Sequence, residues 1–468
     1  MLDAILEAKR EEVAARRREL SLESLLAHCE PTRRSLARAL GRSRPGFLLE
    51  IKFASPSAGP IRSESDLEAV VASYGRHADA ISILTDQRFF AGSLERLTEV
   101  RRRVTQPLLC KDFIIDPYQV AEARARGADA ILLILAAIDD PTWRDCRRLA
   151  AGFGMEVLTE VHDQAELERA VRLGASLIGV NNRNLRTLAV DPETVARLSP
   201  RIPSDRLVVA ESGIESREQV WALRPHADAF LVGTALMREV DLDRAVRHLV
   251  YGRTKVCGLT RPEHALAALA SGATHGGLVF APESPRRVTV DQADRVRRAA
   301  ALDWVGVFAD QDPGEVAALA ERLGLRAAQL HGNESPAMVA ETRARLPEGC
   351  EVWKAHPVEG MLPLPALSGA DRLLLDGAPP ETPSAGPAAR RGGWGQRFDW
   401  RLLEEYPARG DVILAGGLGP HNAAEAAALG TFALDVSSGV ETAPGEKDPD
   451  RLAAFFRARR RLPGRGGA

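Results

Sequence analysis

DAILLILAAIDDPTWRDCRRLAAGFGMEVLTEVHDQAELERAVRLGASLIGVNN, residues 129–182, carries the pattern that decides the fold. Three short runs in it, DAILLIL (129–135), MEVLTEV (155–161) and SLIGVNN (176–182), are rich in apolar, β-forming residues. A strand with one wet face alternates apolar and polar residues. Nearly continuous apolar runs therefore mark strands buried on both faces, as in a parallel sheet. Ala-, Glu- and Arg-rich stretches of helical character separate the runs, and a helix is the usual crossover between parallel strands.

The same alternation extends outward in both directions. GFLLEIKF (46–53), DAISIL (79–84) and PLLCKDF (107–113) precede the stretch, and RLVVAES (206–212) and DAFLVG (228–233) follow it. Eight βα units fit a (β/α)8 barrel. The pattern then restarts with TKVCG (254–258), HGGLVF (275–280), DWVGVF (303–308), AAQLHG (327–332), EVWKA (351–355), RLLLDG (372–377), DVILAGG (411–417) and FALDVSSG (432–439). The reading is an α/β protein of two consecutive TIM (β/α)8 barrels, residues 1–252 and 253–468, with the boundary near Gly252. The first 45 residues predict an N-terminal helical extension of one or two amphipathic helices covering a barrel end. GAPPETPSAGPAARRGGWG (377–395) reads as a long loop, of the kind that is usually functional or mobile.

Composition narrows the function classes. Of 468 residues, 45% are hydrophobic and 27% charged, with a net charge of −2. That balance lacks the basic excess expected of a nucleic-acid or membrane-surface protein. The five cysteines (Cys29, Cys110, Cys146, Cys257 and Cys350) are odd in number, scattered and without a CxxC pair, which points to a reducing cytoplasm. MLDAILEAKREEVAARRREL is charged throughout, so no signal peptide is expected there, and no apolar stretch is long enough for a membrane helix. Six lysines (Lys9, Lys52, Lys111, Lys255, Lys354 and Lys447) stand against 56 arginines, so a lysine kept at a strand end attracts notice.

In a (β/α)8 barrel the C-terminal strand ends converge on one mouth, where catalysis sits. In the first unit those ends carry Glu50 and Lys52, Lys111 and Asp112, Glu160, Asn181 and Arg183, and Ser212. Each alone reads as a solvated charge. Together, carboxylates and lysines around one pocket shift one another's pKa values and supply an acid and a base. AESGI and LVGTAL put glycine at the turns after strands seven and eight, where backbone N–H groups and a helix N-terminus hold a phosphate. In the second unit Cys257 ends the first strand and Asp376 the sixth, a pair able to move protons in opposite directions. AGGLGPHN and LDVSSGVE repeat the phosphate pattern.

EIKFASPSAG, LLCKDFIID, LTEVH, IGVNNRNL, VAESGI and FLVGTALM resemble, in order and spacing, the motifs of indole-3-glycerol-phosphate synthase across residues 1–252. The resemblance implies closure of a pyrrole ring on 1-(2-carboxyphenylamino)-1-deoxyribulose 5-phosphate, with loss of carbon dioxide and water. It makes Lys111 the general acid on the substrate carbonyl, Glu160 the acid/base of the dehydration and Glu50 a further catalytic carboxylate. Lys52 holds the substrate carboxylate or Glu50. Asn181 and Arg183 position substrate, and Ser55, Ser212, Gly213, Gly233 and Thr234 form the phosphate cradle and its surroundings. Phe53-Ala54 departs from the polar or basic residues often found there.

KVCGLT, LVFAPESPRRV, VGVF, QLHGNE, LLLDG, GQRFDW, LAGGL and DVSSGVE resemble phosphoribosylanthranilate isomerase over about 253–455. The resemblance implies an Amadori rearrangement of N-(5-phosphoribosyl)anthranilate, whose product is the substrate of the first barrel. Asp376 matches the general acid, Cys257 the general base and Arg286 the partner of the anthranilate carboxylate. Gly417, Ser437, Ser438 and Gly439 match phosphate-loop positions. His331 is read as polar packing. Trp394 replaces a small hydroxyl residue before Phe-Asp-Trp, and the loop ahead of it is lengthened, so a weak or binding-only second barrel is the alternative. Neither reaction needs a metal or other cofactor. The expected partners are small phosphorylated anthranilate–ribose compounds, with no nucleic acid or membrane, and the expected state is a monomer.

Overall fold

A computed structural model of the chain describes every residue except 43–44, 57, 186, 364–368, 379–394, 462–464 and 466–468. Trp394 and most of the 377–395 loop lie outside the described residues. The chain divides into two compact units, Met1–Val250 with Leu462–Ala468, and Tyr251–Arg461.

The first unit is a closed parallel barrel of β1 (Gly46–Ile51), β2 (Ala80–Leu84), β3 (Leu108–Lys111), β4 (Ala130–Ile134), β5 (Glu156–Val161), β6 (Leu177–Asn181), β7 (Leu207–Glu211) and β8 (Ala229–Val232). Each strand pairs with its neighbours in sequence, and β1 closes on β8 with Gly46 opposite Ala229. The second unit repeats the plan with β9 (Thr254–Cys257), β10 (His275–Val279), β11 (Asp303–Phe308), β12 (Ala327–Leu330), β13 (Glu351–Val358), β14 (Arg372–Gly377), β15 (Val412–Leu414) and β16 (Ala433–Val436), closed by β9 on β16. All sixteen runs read as strands in the sequence are strands, most of them trimmed by a residue or more at their ends, while EVWKA extends to Val358.

The period of two along each strand sets what the barrel interior holds. Leu48, Leu109, Leu158, Leu177, Val209 and Leu231 pack together inside the first barrel. Two residues further along the same strands stand Glu50, Lys111, Glu160, Gly179, Glu211 and Gly233, so the layer above an apolar plug is polar. In the second barrel Val305, Ala327, Trp353, Leu374, Ile413 and Ala433 form the plug.

The N-terminal extension holds three helices rather than one or two: α1 (Leu2–Glu19), α2 (Leu22–Leu26) and α3 (Leu36–Arg42). Leu36 and Leu40 of α3 join the apolar plug at the start of the strands. Met1, Leu2 and Ile5 instead reach the mouth at the opposite end, lining its cavity. The extension thus serves both ends. No helix among the described residues is long and apolar enough to cross a membrane.

Candidate active sites

The first mouth encloses a cavity of about 600 Å³. Glu50, Glu160 and Glu211 are all buried, at 3%, 1% and 1% exposure, so their charges must be compensated locally. Lys111 supplies the centre: Nζ lies 3.2 Å from Glu160 Oε2 and 3.4 Å from Glu211 Oε2. Lys52 Nζ stands 3.3 Å from Glu50 Oε1. Glu160 Oε1 accepts a hydrogen bond from Asn181 Nδ2 at 3.0 Å and lies 3.0 Å from His162 Nε2. The other ring nitrogen of His162 is 2.9 Å from Glu166 Oε2.

These contacts push the groups apart in pKa. Burial would raise Glu160, but Lys111, His162 and Asn181 outweigh it and hold the carboxyl well below the usual carboxylate range. Burial would lower Lys111, but Glu160, Glu211 and Glu50 outweigh it and raise the ammonium. Glu211 goes the other way. Its burial is only partly offset by Lys111 and is reinforced by Glu160, which lifts it to about 8. Burial opposes protonation of His162, yet its bonds to Glu160 and Glu166 push it up to about 10. At neutral pH the mouth therefore holds a firmly ionised carboxylate, Glu160, beside a carboxyl that favours its proton, Glu211. Such a pair can move protons.

Glycine creates the room. A Cβ on Gly179 would run into Glu211 Oε1, and one on Gly233 would come within 2.7 Å of Glu50 Oε1. Ser212 and Gly213 turn the chain after β7 with φ of 65° and 75°. Ser55, Ser212, Gly213, Gly233 and Thr234 all line the cavity, as do Asn181 and Arg183. Arg183 Nη1 donates to Leu188 O at 3.0 Å, tethering the loop after β6 beside the cavity.

The second mouth is smaller, about 250 Å³. Cys257, Arg286, Asp376, Gly417, Ser437 and Ser438 line it together. Gly439 is not among the residues that line it; a Cβ there would clash with Leu418 O. Gly416, at φ 83°, brings the turn after β15 so close that a Cβ would sit 2.6 Å from Asp376 Oδ1. His331 Nδ1 is 2.9 Å from Gln329 Nε2, and its Nε2 is 3.8 Å from Asp376 Oδ2. Burial, with Lys255 and Lys354 nearby, lowers His331 to about 4, so it is a neutral wall beside Asp376 at physiological pH. Arg286 grips Glu441 with Nε at 3.0 and 3.1 Å and Nη2 at 2.7 Å. Gly258 makes room for the arginine stem, a Cβ there falling 2.6 Å from Cδ.

Every residue proposed for the first mouth reaches its cavity, and all but Gly439 of those proposed for the second do. The sequence reading missed Glu211, His162, Asp435 and Glu441. The first had a signal: Val209 to Glu211 is the same two-residue step as Leu158 to Glu160. No group of three or more His, Cys, Asp or Glu side chains among the described residues could hold a metal ion.

The family model for indole-3-glycerol phosphate synthase matches residues 2–249, and that for N-(5'-phosphoribosyl)anthranilate (PRA) isomerase matches residues 254–458. The tryptophan biosynthesis protein TrpCF of Vibrio cholerae serotype O1 is 46% identical, covering 95% of this chain and 92% of its own. TrpCF of Yersinia pestis is 44% identical, covering 98% and 94%. A crystal structure of phosphoribosyl anthranilate isomerase from Thermus thermophilus is 42% identical over 44% of this chain and 97% of its own, with a TM-score of 0.38. Two barrels, each with its own acid–base mouth, define a bifunctional enzyme. The chain belongs to the TrpCF family of tryptophan biosynthesis, with a synthase (lyase) barrel followed by an isomerase barrel.

Proposed function

We propose that residues 253–468 carry the isomerase site and residues 1–252 the synthase site, each working with its own side chains. In the isomerase, Asp376 gives a proton to the furanose ring oxygen and the C1′–O bond opens to a protonated Schiff base. The Cys257 thiolate takes the C2′ proton, and the C–H electron pair forms an enolamine. Its tautomerisation, with a proton gained at C1′ and one lost from the C2′ hydroxyl, gives the ketose. Arg286 faces the anthranilate carboxylate, and Gly417, Ser437 and Ser438 face the phosphate.

In the synthase, Lys111 protonates the C2′ carbonyl oxygen while the aniline ring carbon attacks. The ring carboxylate leaves as carbon dioxide, and its bonding pair restores the ring. Glu160 carries the proton traffic of the dehydration: one proton goes to the departing hydroxyl and the C1′ proton is taken up. Glu50 with Lys52, Asn181 and Arg183 orient the substrate. The observation that carries this reading is Lys111 within 3.4 Å of two buried carboxylates of opposite protonation preference. A net charge of −2 and five scattered cysteines support a cytoplasmic enzyme without a nucleic-acid partner, which we take to act as a monomer.

Both half-reactions measured on full-length variants test the assignment. Lys111→Ala should lose indole-glycerol-phosphate formation by about 10²–10⁴-fold, the usual worth of a general acid, with the isomerase intact. Cys257→Ala should do the converse. Equal loss of both activities in either variant refutes independent sites.

A further inference from the structure

We propose that Lys255 is the positioning residue that favours the thiolate form of Cys257, an ammonium pinned in the barrel interior beside the sulfur. The inference rests on the reading of Cys257 as the isomerase base. Lys255 and Cys257 are two apart on β9, so both face inward while Val256 faces the helices. The Lys255 side chain is fully buried; Nζ lies 2.7 Å from Asp435 Oδ2 on β16 and donates to Gln329 Oε1 on β12 at 2.8 Å. Those contacts leave the ammonium able to donate to the Cys257 sulfur as well. Across from them β10 carries glycine. A Cβ on Gly277 would sit 2.9 Å from Lys255 Cε and 3.0 Å from Cys257 Sγ, so that glycine leaves the space where lysine and thiol meet.

The charges around the sulfur point the same way. Lys255, Lys447 and Arg286 are cationic. Asp435 and Glu441 are anionic, Glu441 being shared between Arg286 and Lys447, whose Nζ is 2.6 Å from its Oε1. One positive charge is left over, which a thiolate neutralises and a thiol does not. Asp376 and His331 line the same cavity, His331 being uncharged. Burial leaves the Cys257 thiol above its ordinary value, and Lys255 is the strongest influence opposing that rise. Of the two buried lysines, Lys447 is lowered by its burial. In Lys255 burial acts in the same direction but is outweighed by Asp435 and Cys257, so Lys255 holds its proton the more firmly of the two.

The test is the pH dependence of Cys257 alkylation by iodoacetamide in the full chain, read on the Cys257 peptide by mass spectrometry, with both activities measured alongside. Lys255→Met should raise the alkylation midpoint by about one pH unit or more and lower isomerase kcat by about tenfold or more. KM should stay within about twofold and the synthase should be unaffected, while Lys255→Arg restores part of both effects. Asp435→Asn frees the ammonium for the sulfur and should lower the midpoint, which keeps the idea testable if Lys255→Met fails to fold. An unmoved midpoint in Lys255→Met, or a raised one in Asp435→Asn, overturns the proposal. Full isomerase turnover in Cys257→Ala would instead remove the thiol from the reaction and leave the alkylation result standing.

Discussion

Lys9 lies on α1, outside the set of residues assigned to substrate, yet it is 1% exposed. Its Nζ is 2.7 Å from Asp86 Oδ2, 3.0 Å from Asp112 Oδ1 and 2.9 Å from Glu12 Oε2. Asp86 and Asp112, just beyond β2 and β3, are themselves buried, at 1% and 7%. Burial alone would lower Lys9, but Asp112 and Asp86 outweigh it and raise the ammonium above its ordinary 10.5. A raised lysine contributes stability that is fully present below the unfolded value and lost only as pH climbs through the folded one, so at pH 7 the contribution is complete. Lys9→Met keeps the stem and deletes the charge, leaving two buried carboxylates uncompensated. Removing one partner of a buried ion pair costs about 3–5 kcal/mol, and in a barrel of this size each kcal/mol shifts Tm by about 2–4 °C, so the first unit should melt roughly 6–20 °C earlier. Calorimetry of the full chain measures this, with loss of synthase and isomerase activity marking the two units. The deficit should shrink as pH falls and the abandoned carboxylates take up protons. A synthase half-inactivation temperature within about 2 °C of the parent, well inside the shift expected for a surface pair, refutes the reasoning.

Two further outcomes probe the first mouth. Gly179→Ala aims a methyl group at Glu211 Oε1 and places it 3.3 Å from Leu158 Cδ1, so Glu211 must swing away from Lys111. Synthase kcat should fall by about 10²-fold, as misplacement of about 1 Å in an active site commonly costs, with isomerase kcat as the control; an unchanged synthase kcat contradicts the packing argument. His162 is raised to about 10 by Glu160 and Glu166, against the opposing effect of its burial. Its contribution to stability is therefore complete below the ordinary imidazole value and lost as pH rises through about 10. Urea unfolding of the parent and of His162→Gln should show a stability gap that narrows between neutral pH and pH about 10; a gap independent of pH excludes the imidazolium.

The barrels were legible because burial on both faces leaves an unmistakable mark: sixteen apolar runs became sixteen strands. Side chains at strand ends were legible where a motif drew attention to them, as with Lys111, Glu160, Cys257 and Asp376. What escaped was charge compensation across elements. Glu441 lies beyond the last barrel strand and faces Arg286 only because the hairpin of Glu441–Ala443 and Glu446–Lys447 folds back toward the mouth. Lys9 meets Asp86 and Asp112 only once α1 crosses the mouth. Gly439, read from DVSSGVE as a phosphate-loop position, stands just outside the residues that line the cavity, at a point where the backbone of Leu418 leaves room only for glycine.

The six lysines join these observations. In a chain that uses arginine as its surface cation, each lysine is at most 17% exposed at the side chain, and each stands within 3.3 Å of a carboxylate: Lys9 with Asp86, Lys52 with Glu50, Lys111 with Glu160, Lys255 with Asp435, Lys354 with Glu334 and Lys447 with Glu441. The chemistry explains the division. Guanidinium is broad, planar and permanently protonated, suited to exposed forks such as the Arg401–Asp399 pair. An ammonium is a compact point charge that fits between two carboxylates in a barrel and gives up a proton when its surroundings change. Arginine in place of Lys111 would keep the charge but could not deliver the proton, and in place of Lys9 it would not fit between Asp86 and Asp112. The six lysines thus stand at positions that call for a compact ammonium, and the exposed cations are arginines.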